Sequence, residues 1–278
     1  MKTKIILIST IAVLIVASTF LIWRAAHAPK RKIIVIKKAA LAKAVPKGRN
    51  LPAIKKRYSN PNVAIVIDDF GYNMNNLDKL FAIKRAVTFS VLPNLTYSKR
   101  VALLAASKGY EVILHLPLES NDKTAPAEAG TIKTDMSDGD MLTLLGKDIG
   151  SVPGLKGVSN HQGSKATQDK RTMTVILSDL KKRGLYFFDS LVTEKSVCHE
   201  AADRARVPYA RRDMFLDNES SPEYIEKQML SLRKIAFRNG GAIAVCHDRK
   251  NTITVLNKMM PELSSEGINF VSLSEMVE

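Results

Sequence analysis

Short apolar runs alternate with segments of helical spacing from Val63 to the end of the chain. The runs are rich in Val, Ile, Leu and Phe, and polar residues, Gly or Pro bound them, which is typical of buried strands. We predict eight strands, over residues 63–67, 87–92, 111–115, 157–160, 185–189, 208–211, 242–246 and 269–273.

The segments between these strands carry helix signals, with apolar residues three and four positions apart and serine or acidic residues at several starts. We predict six helices, over residues 97–107, 137–149, 168–182, 196–205, 221–238 and 252–264. Strands that alternate with helices are joined by crossovers and therefore run parallel. We predict an α/β fold, a distorted seven- or eight-stranded (β/α) barrel, closed or nearly closed; the alternative is a doubly wound open sheet.

An uncharged and mostly apolar run covers residues 5–23, between Lys4 and Arg24. Nineteen helical residues rise about 28 Å, close to the hydrocarbon thickness of a bilayer. We predict a signal anchor, with a signal peptide cleaved at Ala26-His27-Ala28 as the alternative. Both place the body outside the cytoplasm in the cell envelope, and an anchor would hold it at the inner membrane. The predicted organisation is a leader (1–28), a basic linker (29–60) and one domain (61–278).

The charge of the chain is concentrated at its N-terminus. The 278 residues carry 42 Lys and Arg against 27 Asp and Glu, a net charge of +15. Fourteen of the basic residues and none of the acidic ones lie in residues 1–57. The body is therefore almost neutral, which argues against nucleic-acid binding. Two cysteines, Cys198 and Cys246, are too few for a disulfide scaffold, and we expect two buried free thiols.

Polar side chains follow most of the predicted strands at the point where each strand ends. They are Asp68 and Asp69, His115 with Glu119, Asn160 and His161, Asp189, Asp213 with Asp217, and His247. Because the carboxyl ends of parallel strands converge at one end of a barrel, we expect a shared site. A carboxylate and two imidazoles can hold Zn²⁺, while a further carboxylate and histidine can move protons. The sequence therefore predicts metal-assisted hydrolysis.

Several of these segments resemble motifs of the divergent polysaccharide deacetylase family, a distant branch of the NodB-type carbohydrate esterases. The matching stretches are AIVIDDFGYN, TFSVLPN, ILHLPLE, GVSNHQGSKAT, FFDS and VPYARRDMFLDNE. The resemblance implies a distorted (β/α) barrel that removes acetyl groups from an N-acetylated envelope polysaccharide such as peptidoglycan. It implies Asp68 as catalytic base, Asp69 and His115 as metal ligands, and His247 as general acid.

The chain departs from the wider NodB pattern at two motifs. Glu119 occupies the place of a second histidine, and we predict that His161 supplies the missing imidazole of a Zn²⁺ site. Glu119, Asn160, Asp189 and Asp213 are predicted to support this site.

The second departure is Val-Cys-His-Asp-Arg around His247, where the branch more typically has Gly-His-Pro. Two other functions stay open, the first of them because two motifs are altered. One is a catalytically silent, membrane-tethered protein that binds glycans or acts as a scaffold. The other is a metal-dependent hydrolase of another substrate class, such as a phosphodiester, which Arg211 and Arg212 could contact.

Overall fold

Nine parallel strands form a single sheet in the computed structural model, which describes residues 57–124 and 128–278. They are β1 (Asn62–Phe70), β2 (Thr88–Val91), β3 (Glu111–Leu118), β4 (Gly157–Gln162), β5 (Tyr186–Asp189), β6 (Tyr209–Arg211), β7 (Met214–Phe215), β8 (Gly241–His247) and β9 (Asn269–Val271). The sheet order is β6-β5-β4-β3-β2-β1-β8-β7, and β9 pairs with the start of β1. This order excludes a doubly wound sheet, because neighbouring strands follow one another around the sheet.

Helices cover the outer face of the sheet. They are α1 (Leu77–Ala82), α2 (Ser98–Ser107), α3 (Asp138–Ser151), α4 (Lys170–Arg183), α5 (Cys198–Ala205), α6 (Pro222–Asn239) and α7 (Lys250–Ser265). The six predicted helices are confirmed with ends within two residues, while the short α1 was not predicted. Ser137 and Ser221 cap α3 and α6, since their hydroxyls accept hydrogen bonds from the backbone N–H of Asp140 and Tyr224.

One chain segment reaches both edges of the sheet. β6 pairs with β5, whereas β7, two residues later, pairs with β8. Between them, the N–H of Arg212 donates to the carbonyl of Asp189 (3.1 Å) and the N–H of Asp213 to that of Ile243 (2.9 Å). The fold is therefore a curled and incompletely closed barrel, which confirms the predicted barrel class. The predicted strand count was too low, because this segment contains two short strands where one was expected.

The sheet has two apolar faces that follow the two-residue period of its strands. In β1, Val63, Ile65 and Ile67 pack with helix residues, while Ala64 and Val66 belong to a smaller cluster inside the curl. Leu273, on the C-terminal segment, joins this inner cluster, and its N–H donates to the Thr88 hydroxyl (3.0 Å). The C-terminal segment thus closes the base of the barrel, where the strands begin.

The two cysteines are free and buried, as predicted. Burial raises the pKa of both thiols, so that they remain protonated packing groups.

The predicted leader and most of the predicted linker lie outside the described residues, as does the apolar run 5–23. Within the described part of the chain, every helix is too short or too polar to cross a membrane.

Gly157 provides a test of the packing inside the curl. A Cβ at this position would lie 2.4 Å from the ring of Tyr186, itself a buried residue of the inner cluster. We expect Gly157→Ala to lower the free energy of unfolding by about 1–3 kcal/mol, the usual cost of overpacking. Chemical denaturation of the purified protein measures this change.

Gly150→Ala is the matched control, because Gly150 lies within α3 and a Cβ there would meet no atom within 4 Å. It should raise the free energy of unfolding by about 0.5–1 kcal/mol. Equal effects of the two substitutions would contradict the tight packing of Gly157 on Tyr186.

Candidate metal-binding site

The two-residue period of the strands selects the side chains that enter the barrel. In three strands, a residue of the inner cluster shows which alternate positions face into the barrel. These residues are Val66 in β1, Ile113 in β3 and Val245 in β8. Asp68, His115 and His247 lie two residues further along these strands and therefore face the same way. In β4, Val158 packs outward against the helices, so Ser159 and His161 face into the barrel. These side chains therefore meet at the end of the barrel opposite its base.

A β-bulge brings a second carboxylate to the same point. The pairing of β1 with β2 shifts register between Ile67 and Phe70, and Asp69 adopts a left-handed backbone with φ 68°. This breaks the strict alternation of β1, so that consecutive aspartates approach one imidazole. His115 Nε2 lies 3.6 Å from Asp68 Oδ2 and 3.5 Å from Asp69 Oδ1.

Within the described residues, Asp69, His115 and His161 form a cluster that could hold a metal ion. Each offers one ligand atom, and these atoms lie within 4.8 Å of one another. His161 Nδ1 lies 3.1 Å from His115 Nε2 and 3.4 Å from Asp69 Oδ1. Four ligands at 2.0–2.1 Å around a tetrahedral Zn²⁺ are separated from one another by roughly 3.3 Å. The three donor atoms are therefore spaced as ligands of one ion.

Asp69 Oδ1 is also buried and has no hydrogen-bond partner, although both imidazole nitrogens lie nearby. A buried carboxylate oxygen in this condition is costly unless a cation compensates it. The residues present thus fit a divalent metal ion.

A hydroxyl holds the orientation of the His115 ring. His115 Nδ1 lies 2.8 Å from Ser159 Oγ, which in turn lies 2.9 Å from Ser90 Oγ. All three residues are buried. With Nδ1–H donating to Ser159, Nε2 presents its lone pair to Asp69 and His161, as ligation of a metal requires.

The two adjacent aspartates have opposite pKa shifts. Burial alone would raise the pKa of Asp69, but His115 and His161 outweigh burial and hold it well below its usual range. For Asp68, burial dominates and raises the pKa. Asp69 is therefore an anionic ligand, whereas Asp68 is a stronger base than an ordinary aspartate.

His247 is held by Asp217, a fully buried residue. His247 Nδ1–H donates to Asp217 Oδ1 (2.8 Å), and the His247 backbone N–H donates to Oδ2 (2.9 Å). Burial alone would lower the pKa of His247, but the bond to Asp217 outweighs burial and raises it. His247 is the register partner of Asp68 across β8 and β1, so the two side chains extend from adjacent backbone positions.

A cation lies beside these groups. The guanidinium of Arg212 covers the Phe215 ring at 3.8 Å and donates to the carbonyls of Ser190 (2.7 Å) and Leu191 (2.9 Å). Burial lowers its pKa, while Asp189, Asp213 and Asp68 act in the opposite direction. The ring of Phe215 also stacks with that of His247, and the two ring centroids are 6.0 Å apart.

Glu119, which stands at the place of the second NodB histidine, bonds elsewhere. Its carboxylate accepts hydrogen bonds from the N–H (2.8 Å) and hydroxyl (2.7 Å) of Thr134. It also forms an ion pair with Lys165 (2.9 Å). These contacts lower the pKa of Glu119 to about 2, although burial opposes them. Glu119 thus joins the loop after β3 to the loop after β4.

Asn160 and Asp189 are buried, and both lie at positions of their strands that face away from the inside of the barrel. Asn160 Oδ1 accepts from the N–H of Ser190 (2.8 Å), and Asp189 accepts from Ser196 Oγ (2.6 Å) and the N–H of Leu191 (2.7 Å). Both side chains therefore position the loop after β5.

Asp213 is exposed, and its carboxylate accepts from the backbone N–H of Ile243 (2.7 Å). Asp217, noted in the sequence only as a polar residue after a strand, is the carboxylate that contacts His247. Ser159 was not assigned to the site, and Arg212 was named only as a possible contact of a phosphodiester. Strand parity is the signal that would have identified Ser159, since it lies two residues before His161.

Comparison with known proteins places the body in a family. Residues 65–277 match the family model described as divergent polysaccharide deacetylase. The chain is 32% identical over 215 residues to the uncharacterized protein YibQ of Escherichia coli (strain K12), covering 77% of this chain and 67% of that protein. It is 29% identical over 219 residues to an uncharacterized protein of Haemophilus influenzae (strain ATCC 51907 / DSM 11121 / KW20 / Rd), covering 79% and 78%.

A solved structure shares the fold. The crystal structure of the uncharacterized protein ATU2773 from Agrobacterium tumefaciens C58 superposes with a TM-score of 0.73 at 25% identity, covering 81% of this chain and 92% of that one.

The cluster geometry predicts which substitutions weaken metal binding. Zn²⁺ titration followed by dialysis and elemental analysis should give about one ion per chain, removed by chelator. His161→Ala and Asp69→Asn should each weaken affinity by at least about tenfold. Glu119→Gln is the matched control and should retain the ion, because its carboxylate is bonded to Thr134 and Lys165. Loss of metal in Glu119→Gln with retention in His161→Ala would reverse the ligand assignment.

Proposed function

This chain belongs to the divergent polysaccharide deacetylase family, and we propose that it hydrolyses the acetamide groups of an N-acetylated envelope polysaccharide, such as peptidoglycan. The observation that carries the proposal is the juxtaposition of the Asp69, His115 and His161 cluster with two separately tuned groups, Asp68 and His247. Amide hydrolysis needs these functions together: a Lewis acid, a base for water and an acid for the leaving amine.

Asp69, His115 and His161 would hold the metal ion, and one carboxylate oxygen with two imidazole nitrogens favours Zn²⁺. When bound, such an ion polarises a carbonyl and lowers the pKa of water, which supports attack on an acetamide. Ser159 and the bulge at Asp69 keep the ligands in place before any ion arrives.

Asp68 is proposed to take the proton of the attacking water. It is buried, its Oδ1 has no hydrogen-bond partner, and its raised pKa makes it a better proton acceptor than an exposed aspartate. Arg212 supplies positive charge nearby, which favours the ionised carboxylate that a base requires.

His247 is proposed to protonate the departing amine. Asp217 accepts the hydrogen bond from Nδ1–H, so the proton on Nε2 is the one available for transfer. The raised pKa favours the protonated imidazole that this role requires.

The location of the protein is part of the same proposal. The apolar run 5–23, preceded by a short N-terminus with Lys2 and Lys4, supports an inner-membrane anchor with the barrel in the envelope, where acetylated polysaccharide is found.

Acetate release from N-acetylglucosamine oligomers and peptidoglycan fragments tests the activity. The Zn²⁺-loaded wild type should release acetate, and Asp68→Asn and His247→Asn should each lower kcat by about 10²–10⁴-fold while retaining the ion. Glycan binding that is unchanged by chelator, without any acetate release, would favour a catalytically silent glycan-binding protein. Release of phosphate from phosphodiesters alone would favour another hydrolase.

The His247–Asp217 pair predicts a pH dependence. Activity requires protonated His247, so the rate should fall as pH rises through the pKa of His247. Because Asp217 raises that pKa, Asp217→Asn should move the alkaline limb of the kcat profile to lower pH.

Asp213→Asn is the matched control, since Asp213 contacts the backbone of Ile243 and not His247. An unmoved alkaline limb in a folded Asp217→Asn variant would exclude His247 as the titrating acid.

A further inference from the structure

The helix-to-strand connections form the end of the barrel away from the candidate site, and their charge is one-sided. We call this set the basal rim; it comprises residues 57–61, 83–87, 108–110, 152–156, 184–185, 206–208, 240 and 266–268. Its charged residues are Arg57, Lys84, Arg85, Lys108, Lys156 and Arg206, against Glu266 alone. Glu266 is paired with Arg233 at 2.5 Å.

The opposite end of the barrel has the reverse balance. The described strand-to-helix connections carry nine acidic residues and five basic ones. Helix dipoles favour cations at helix C-termini, and Lys108 and Arg206 of the rim stand at the C-caps of α2 and α5. At the centre of the base, Glu111 of β3 accepts a hydrogen bond from the N–H of Ser274, and the C-terminal segment carries Glu275 and Glu278, so the excess positive charge is confined to the rim.

A cavity opens within the basal rim. It has a volume of about 510 Å³ and is lined by Phe81, Lys84, Arg85, Ala86, Lys108, Gly109 and Tyr110. Phe81 and Tyr110 stack at 5.5 Å to form an aromatic wall, and Lys108 Nζ lies 4.9 Å from the Phe81 ring. Within the described residues, no carboxylate forms an ion pair with the three cations of this basal pocket. Uncompensated cations around an open cavity attract an anionic group such as phosphate.

Residues 57–60 pack against the ends of α6 and α7. The ring of Tyr58 lies against Gly240, and the carbonyl of Ser59 lies against Gly267, at the ends of α6 and α7. Arg85 of the pocket donates to Ser264 Oγ (3.1 Å), also at the end of α7. The rim is continuous along the chain with residues 1–56, which contain thirteen basic residues and no acidic one.

We propose that the basal pocket and rim bind the headgroups of anionic phospholipids at a bilayer surface. A rim of cations fits an extended anionic surface better than a single small ion, and polybasic segments beside apolar runs bind such surfaces. This contact directs the base of the barrel toward the membrane and the candidate site toward the surrounding polysaccharide. It is independent of catalysis, because none of its residues belongs to the metal cluster or the proton-transfer groups.

Hydrogen–deuterium exchange of the full chain tests this contact. The chain is mixed with vesicles of phosphatidylcholine alone or with one third phosphatidylglycerol, and a third sample holds phosphatidylcholine vesicles and inorganic phosphate. Amides of residues 83–87 and 107–110 should be protected only by the phosphatidylglycerol vesicles. In Lys84→Gln/Lys108→Gln, this protection should require about fivefold more anionic lipid for each lysine removed.

Lys123→Gln/Lys195→Gln removes two exposed lysines from the opposite end and is the matched control, with protection unchanged. Equal protection by neutral vesicles, or protection that survives Lys84→Gln/Lys108→Gln, would overturn the proposal. Protection by phosphate alone would make the pocket an anion site without a membrane role. Acetate release should be the same in both double variants, so failure here is separable from failure of the proposed activity.

Discussion

The candidate site depends on the narrow inner side of a curled parallel sheet, which only every second residue of a strand can reach. Near the base this space is filled by the inner apolar cluster, which Leu273 closes from below. At the other end the same parity delivers Asp68, His115, His161 and His247. The bulge at Asp69 is the one departure from this alternation among the proposed ligands, and it adds the third donor atom.

Two carboxylates of this end, Asp217 and Asp69, differ in how their oxygens are satisfied. Asp217 is satisfied by protein groups alone, with the imidazole and backbone of His247 and the hydroxyl of Thr252 as donors. Asp69 Oδ1 lacks a hydrogen bond although two imidazole nitrogens surround it. Protein groups alone therefore satisfy Asp217, whereas Asp69 Oδ1 keeps a position at which a cation can bind.

The two ends of the barrel have different chemistry because parallel strands give the sheet a direction. Loops after the strands hold the acidic and imidazole groups, while connections before the strands hold the basal rim. The membrane contact proposed for the rim and the hydrolysis proposed for the site would therefore face opposite directions. The N-terminal segment joins the rim, so both proposals are compatible with one anchored chain.

The sequence by itself determined the alternating elements, the parallel barrel class, the family and the strand-end positions of the polar residues. These follow from local periodicity, caps and motifs, which neighbouring residues specify. Only the tertiary structure decided that Asp69, His115 and His161 share one point, that Asn160 and Asp189 face outward, and that Asp217 rather than Asp213 contacts His247. The physical reason is that strand register, one bulge and the split between β6 and β7 set these distances, and each depends on pairing between segments far apart in the chain.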